Sequence, residues 1–278
     1  MIAEEWTTQW TRRRTLILVV ATALFPVVMT IAIVASGSSQ VDRVGDIPLV
    51  IVPHRSGLAV PLIALSSTMR FFLPLAVAVV AGECIAGEAS TGRLRYALAG
   101  PVSRTRYLAV KTLVAASISA ALVAVLLIAA TASGLLAFGW HPLTAVDGDQ
   151  TSAPSVATFS EWDSLGKLAI GTAYIAAGMA SIFAFALLLS TLTTRPFVAV
   201  AGGAALSVVS RVFNADYLPG VNLIGRYMPN NDIDLWQHLF SSPPGSAGMG
   251  RFLILQVGYV AVFATVGWRL FNRRDVLV

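Results

Sequence analysis

Residues 16–35 contain no charged side chain, and five further apolar runs follow. A helix needs about 20 residues to cross about 30 Å of hydrocarbon, so an apolar run of 18 or more reads as a membrane span. Composition agrees, with 56% hydrophobic and 12% charged residues, against about 25% charged in an average soluble domain. The expected fold is an all-α membrane protein, a single transmembrane domain over 1–278. Its six transmembrane helices are expected at about 16–35, 62–86, 107–138, 168–192, 197–213 and 252–271.

Arg12, Arg13 and Arg14 precede the first run, as in a signal peptide. The run is longer than the roughly 7–15 residues of a signal core, and no A-x-A site follows, so it reads as a retained anchor. The second run is the least regular, with Pro61, Arg70 and Pro74 inside it. The polar Ser66, Ser67 and Thr68 suggest that this span begins near Phe71. The third is long enough to tilt or project. Only residues 193–196 part the fourth from the fifth, which predicts a tight antiparallel hairpin. Cys84 is the sole cysteine, so no intrachain disulfide framework exists.

Basic residues orient a multi-pass chain, because loops rich in Lys and Arg stay in the cytoplasm. With the N-terminus inside, the inner side collects twelve cations and five acids, the outer side seven and nine. Both termini are then cytoplasmic. The net charge of +5 is explained by this placement, and no nucleic-acid partner is expected. At the N-terminus Ile2, Trp6 and Trp10 recur every four residues, which predicts an interfacial helix over 2–12 with its tryptophans at the lipid headgroups.

The loop "GEASTGRLRYALAGPVSRTRYLAVK", residues 87–111, carries five cations and one acid between two spans. Ser90 or Thr91 can cap a short helix. Leu94, Ala97 and Leu98 then share one face, Arg93 and Arg95 lie on others, and Gly100 with Pro101 stops it. Ser103 is a fresh cap for the third span, whose first turns bring Arg104, Arg106 and Lys111 to the lipid phosphates. Positive-inside topology alone would also account for every one of these cations.

Two outer segments carry less pattern. Within 214–250 the turn signals at Pro219, Pro229 and Pro243 leave two pieces of about eight to twelve residues, a length suited to short re-entrant or interfacial helices before the sixth span. The loop 141–164 is polar and acidic, with little to order it.

Catalytic parts are missing. No G-x-x-x-x-G-K-[ST] is present, so the chain has no phosphate-cradling loop for ATP. His54, His141 and His238 fall in outer segments, no span carries G-x-S-G, and small residues at a helix interface explain the string "TASG" at 131–134. Glu4 and Glu5 lie outside the hydrocarbon, where they cannot form a buried metal dyad. No catalytic, cofactor-binding or metal residues are assigned. Charges inside spans mark function more often. Arg70 is a possible pathway charge, able to pair with an outer acid or face a cavity for an anionic substrate. Arg211 and Glu83 sit close enough to an interface to snorkel.

Glu88, Gly92, Leu94, Pro101, Val102, Ser103, Arg104 and Lys111 form a pattern that resembles the permease subunits of ABC-2 type transporters. The closing Phe271, Arg273, Arg274 and Asp275 look like the end of such subunits. The likeness extends to the six spans and the N-terminal helix, with Arg93 standing where a threonine often follows the glycine. It implies that the short loop helix is a cytoplasmic coupling helix between spans 2 and 3, docking into a cleft on a separate ABC ATPase subunit. Glu88, Gly92, Arg93, Leu94, Arg95, Tyr96 and Arg104 would be the ATPase-coupling residues. ATP and Mg would then sit on the partner ATPase, with no cofactor on this chain. A second permease copy or a related permease would complete the pathway in the lipid bilayer of a bacterial plasma membrane. The implied function is ATP-driven export. A non-transporting membrane anchor or sensor subunit is the alternative, and an intramembrane enzyme a more distant one.

Overall fold

The computed structural model describes residues 2–36, 42–43, 49–51, 56–99, 103–147, 155–214, 225, 227–241 and 244–273. In chain order its elements are α1 (Ile2–Trp10), α2 (Arg13–Ser36), β1 (Asp42–Arg43), β2 (Leu49–Ile51), α3 (Ala59–Thr68), α4 (Phe72–Ser90) and α5 (Arg93–Ala99). Then come α6 (Arg104–Phe138), β3 (Leu143–Asp147), β4 (Ser155–Phe159), α7 (Glu161–Leu192), α8 (Pro196–Asn214), a 3-10 helix (Asn231–Phe240) and α9 (Met249–Arg273). The chain is an all-α membrane protein in which six helices, α2, α4, α6, α7, α8 and α9, are long and apolar enough to cross a bilayer. The Gly100–Pro101 stop, the Pro101–Val102 step of the loop pattern and the Arg274–Asp275 tail lie outside the described residues.

Capping sets where the long helices begin. Ser160 accepts from the Asp163 N–H at 3.3 Å, and Glu161 and Asp163 in the first turn complement the helix dipole, so α7 starts well before the expected 168. Ser103 likewise accepts from Arg106 N–H and starts α6 at Arg104. α8 opens on Pro196, at a position where a proline loses no hydrogen bond. With α7 ending at Leu192, the expected hairpin turn is only three residues long. α1 ends at Trp10 rather than 12, with Trp6 and Trp10 ring centroids 5.9 Å apart on one face.

The second span departs from the bounds 62–86 but begins next to Phe71, as Ser66, Ser67 and Thr68 suggested. Instead of one helix over 62–86 there are two, α3 and α4, broken at Met69–Phe71. Phe71 at φ −140°, ψ −50° leaves the helical region. Pro74 then falls in the first turn of α4, where no intrahelical donor is needed. The spanning helix therefore begins at Phe72. α3 is buried along nearly its whole length. The turn that leads into it reaches α6 through backbone contact, since a Cβ on Gly134 would overlap the Gly57 carbonyl oxygen, and Gly57 N–H donates to Gly139 O at 3.1 Å.

The described parts of the loop 141–164, residues 141–147 and 155–164, are ordered, contrary to the reading of that loop. β3 and β4 pair antiparallel from Leu143↔Phe159 to Asp147↔Ser155. β2 joins β3, and β1 joins β2, in a four-stranded sheet of order β1-β2-β3-β4. The strands from the loop after α2 thus pair with those after α6. Phe159 turns inward against Phe240 with ring centroids 5.9 Å apart, and Lys167 Nζ stands 3.6 Å above the Phe159 ring.

Of the two short pieces expected within 214–250, one is described, the 3-10 helix Asn231–Phe240; the turn signals at Pro219 and Pro243 lie outside the described residues. Its fully buried Trp236 lies on Gly171 of α7, where a Cβ would come within 2.5 Å of the indole. Ile233 and Phe252 close on Gly178, two turns further along the same face. Between the two glycines Tyr174 donates to Asp232 O at 2.7 Å. The glycines make a flat bed into which a short polar-ended helix packs. α4 is held on the same helix deeper in, where Ser190 Oγ accepts from Ile85 N–H at 3.0 Å and Ala86 N–H at 2.8 Å.

Candidate functional site

The loop pattern folds into a joint between α4 and α6. Ser90 and Thr91 do not cap α5 as expected. Their hydroxyls donate backwards, Ser90 to Gly87 O at 2.9 Å and Thr91 to Glu88 O at 3.2 Å, and so finish α4. Gly92 then takes φ +73°, the left-handed turn that ends a helix and that a side chain disfavours. α5 follows at once. Leu94 is buried in the core while Arg93, Arg95 and Tyr96 are exposed, Tyr96 to 83%. The side chains of Ala97 and Leu98 lie outside the described residues.

Glu88 faces inward from the end of α4. It accepts from the Tyr107 hydroxyl and from Lys111 Nζ on α6, and Arg12 Nη2 lies 3.6 Å away. Lys111 is only 4% exposed and also meets Glu5 Oε1 of α1 at 2.7 Å. Lys111 was expected at the lipid phosphates. That placement is corrected by one physical requirement: a lysine this buried needs carboxylate partners. Two acids and two cations therefore neutralise one another where α1, α4 and α6 meet. Burial pushes the Glu5 carboxyl up. Hydrogen bonds from Lys111 and from Gln9, which donates at 2.7 Å, together with the charges of Lys111 and Arg12, outweigh that and hold it below its ordinary value. The available signal was the spacing of Tyr107 and Lys111, four residues apart on one helical face.

Arg104, expected to serve the ATPase-coupling surface, also meets α9. Its Nη1 donates to Asn272 O at 3.1 Å, at the electronegative end of α9. Nearby Trp268 Nε1 donates to Thr105 Oγ1 at 3.2 Å, and Tyr107 stacks on Phe271 at 6.4 Å. The joint is thus braced by the last turns of α9 as well as by α1.

Arg70 lies at the far end of α4, in the break after α3. Its Nη2 is 3.4 Å from Asp234 Oδ1 of the 3-10 helix, in a segment expected on the outer side. Arg211, read as a snorkelling cation, shares that acid, with Nη2 3.4 Å from Oδ2. Glu83, read likewise, is 2.7 Å from Arg14 Nη1. About 28 Å of α4 separates the two clusters, at 1.5 Å rise over its 19 residues. Among the described residues no group of three or more His, Cys, Asp and Glu is placed to hold a metal ion.

Residues 28–277 match the family model described as a protein of unknown function, DUF2705. No curated protein matches the chain. Glu88, Lys111, Arg70 and Asp234 lie within the matched residues, whereas Glu5 and Arg12 precede them. Since the match runs from within α2 to the end of α9 and beyond, the chain belongs to the DUF2705 family.

Proposed function

We propose that this chain is the membrane-spanning permease subunit of an ATP-driven exporter, with α5 as its docking helix for a separate ATPase. The observation that carries the reading is the build of α5. Arg93, Arg95 and Tyr96 are exposed on a short helix pinned by buried Leu94, directly after a turn anchored through Glu88 to α6 and α1. A push on such a helix passes into α4 and α6 rather than bending a loop. Nucleotide and Mg would be bound by the ATPase, since this chain lacks a phosphate loop. A second permease chain would complete the pathway, and the host membrane would be a bacterial plasma membrane with both termini cytoplasmic.

A photo-crosslinking residue in place of Tyr96, introduced in the native host, tests the contact. The expected product is a covalent adduct with a soluble polypeptide carrying G-x-x-x-x-G-K-[ST]. Arg95→Glu should weaken that complex by roughly 30- to 5,000-fold, the cost of breaking one desolvated charge pair of about 2–5 kcal/mol. Adducts with lipid alone, together with an unaffected Arg95→Glu variant, would overturn the docking role. An adduct with an ATPase that drives no export in vesicles would leave an anchoring or sensing subunit instead.

A further inference from the structure

A cavity of about 300 Å³ opens beside the joint, lined by Arg12, Arg13, Arg14 and Arg93 together with Glu83 and Glu88. Arg14 is neutralised by Glu83 at 2.7 Å, and Arg12 lies 3.6 Å from Glu88. Arg13 and Arg93 are exposed and have no ion-pair partner among the described residues. They arrive from different elements, α2 and α5, and face one cavity only because Gly92 turns the chain between α4 and α5. Four cations and two acids leave a concave site with an excess of two positive charges. The Ser90 and Thr91 hydroxyls have already committed their protons to backbone carbonyls. Recognition of an anion here falls to the guanidinium groups, whose planar forks suit phosphate oxygens.

The surface next to the cavity says which phosphate. Arg13, Ile17, Val20 and Leu24 fall at i, i+4, i+7 and i+11 on α2, one continuous face. Ile17 is 66%, Val20 61% and Leu24 54% exposed, so an uncovered apolar stripe runs straight from Arg13 along the spanning helix. A soluble phosphate would use the arginines and ignore the stripe. A diacyl lipid uses both. Trp6 and Trp10 of α1 lie at this same end of α2, as residues at headgroup depth do.

We infer that the cavity holds the phosphate of an anionic phospholipid, with Arg13 and Arg93 as its ligands and the acyl chains along the α2 stripe. The site does not depend on the transport reading. It differs from general attraction of a basic end to anionic lipid, which any exposed arginine supplies. The test is native mass spectrometry of the full chain in neutral detergent, titrated with phosphatidylglycerol, phosphatidylcholine or inorganic phosphate. Wild type should retain one phosphatidylglycerol in preference to phosphatidylcholine, and inorganic phosphate should not displace it. Arg13→Gln with Arg93→Gln should weaken retention about thirtyfold, while Arg106→Gln, an exposed cation of α6 outside the cavity, should leave it unchanged. An equal loss in Arg106→Gln would reduce the effect to general attraction and overturn the site. Displacement by inorganic phosphate would assign the cavity to a soluble anion and overturn the lipid.

Discussion

Lys111 Nζ lies 2.7 Å from Glu5 Oε1, a contact between residues 106 positions apart that fastens α1 to α6. Glu88 holds the same ammonium from α4. The turn into α5 therefore rests on a buried, internally neutral cluster.

Lys111→Met leaves Glu5 and Glu88 partly buried with their main cation gone. Breaking a buried pair from one side costs about 3–5 kcal/mol. Adding Glu88→Gln should recover part of that loss, because it removes one of the stranded charges. Thermal unfolding of the detergent-solubilised protein reads both variants. A Lys111→Met protein as stable as wild type would dismiss the cluster as a support.

Acid should release α1. The Glu5 carboxyl is held below its ordinary value in the folded chain. Its contribution to docking is thus complete above the unfolded carboxylate range and is lost as pH falls through the lower folded value. Hydrogen exchange across Ile2–Trp10 should accelerate between neutral and strongly acidic pH, after correction for intrinsic rates. Glu5→Gln should exchange faster at neutral pH and show a flatter pH dependence.

Asp234 carries two arginines on the short 3-10 helix, and it is 17% exposed. Asp234→Asn should cost more than about 1 kcal/mol and loosen the packing of Trp236 on Gly171. The control is Asp163→Asn, whose pair with Lys167 lies on the surface of α7 with Asp163 51% exposed; it should cost less than about 0.5 kcal/mol. Urea titration of solubilised protein followed by tryptophan fluorescence compares the two.

Two glycines should fail differently. A side chain at Gly134 meets the backbone of Gly57, so Gly134→Leu should destabilise by at least about 1–3 kcal/mol through overpacking of α3 on α6. Gly92→Ala meets nothing within 4 Å, and its cost of about 1–2 kcal/mol comes from the φ of +73° alone. In the second variant the melting temperature should fall while proteolysis of the α3 region stays unchanged. Equal proteolytic sensitivity of α3 in both would contradict the backbone contact.

Orientation is open to a direct chemical measurement. Cysteine at exposed Thr158, on β4, should react with an impermeant thiol reagent on intact cells, and cysteine at Ser90 should not. Buried Cys84 is replaced in both backgrounds. The reverse pattern would put α5 outside and remove any ATPase from its reach.

Much of the architecture was legible in the chain before folding. Each span follows from transfer of side chains out of water, a property that adds up residue by residue along a run, so 16–35 or 252–271 declares itself without reference to any neighbour. The α7–α8 hairpin and the cap at Ser103 are equally local. What tertiary structure alone decided is which polar groups meet. Most of the spanning helices are apolar on nearly every side, so their sequences carry little periodic signal for which face turns to which partner. Lys111 looks like any cation near a span end until α1 brings Glu5 beside it. Asp234 joins Arg70 from 164 residues away. β2 finds β3 only because α2 and α6 stand together. Burial is written residue by residue, whereas ion pairs and strand register depend on the relative placement of distant helices, which exists only once they have packed.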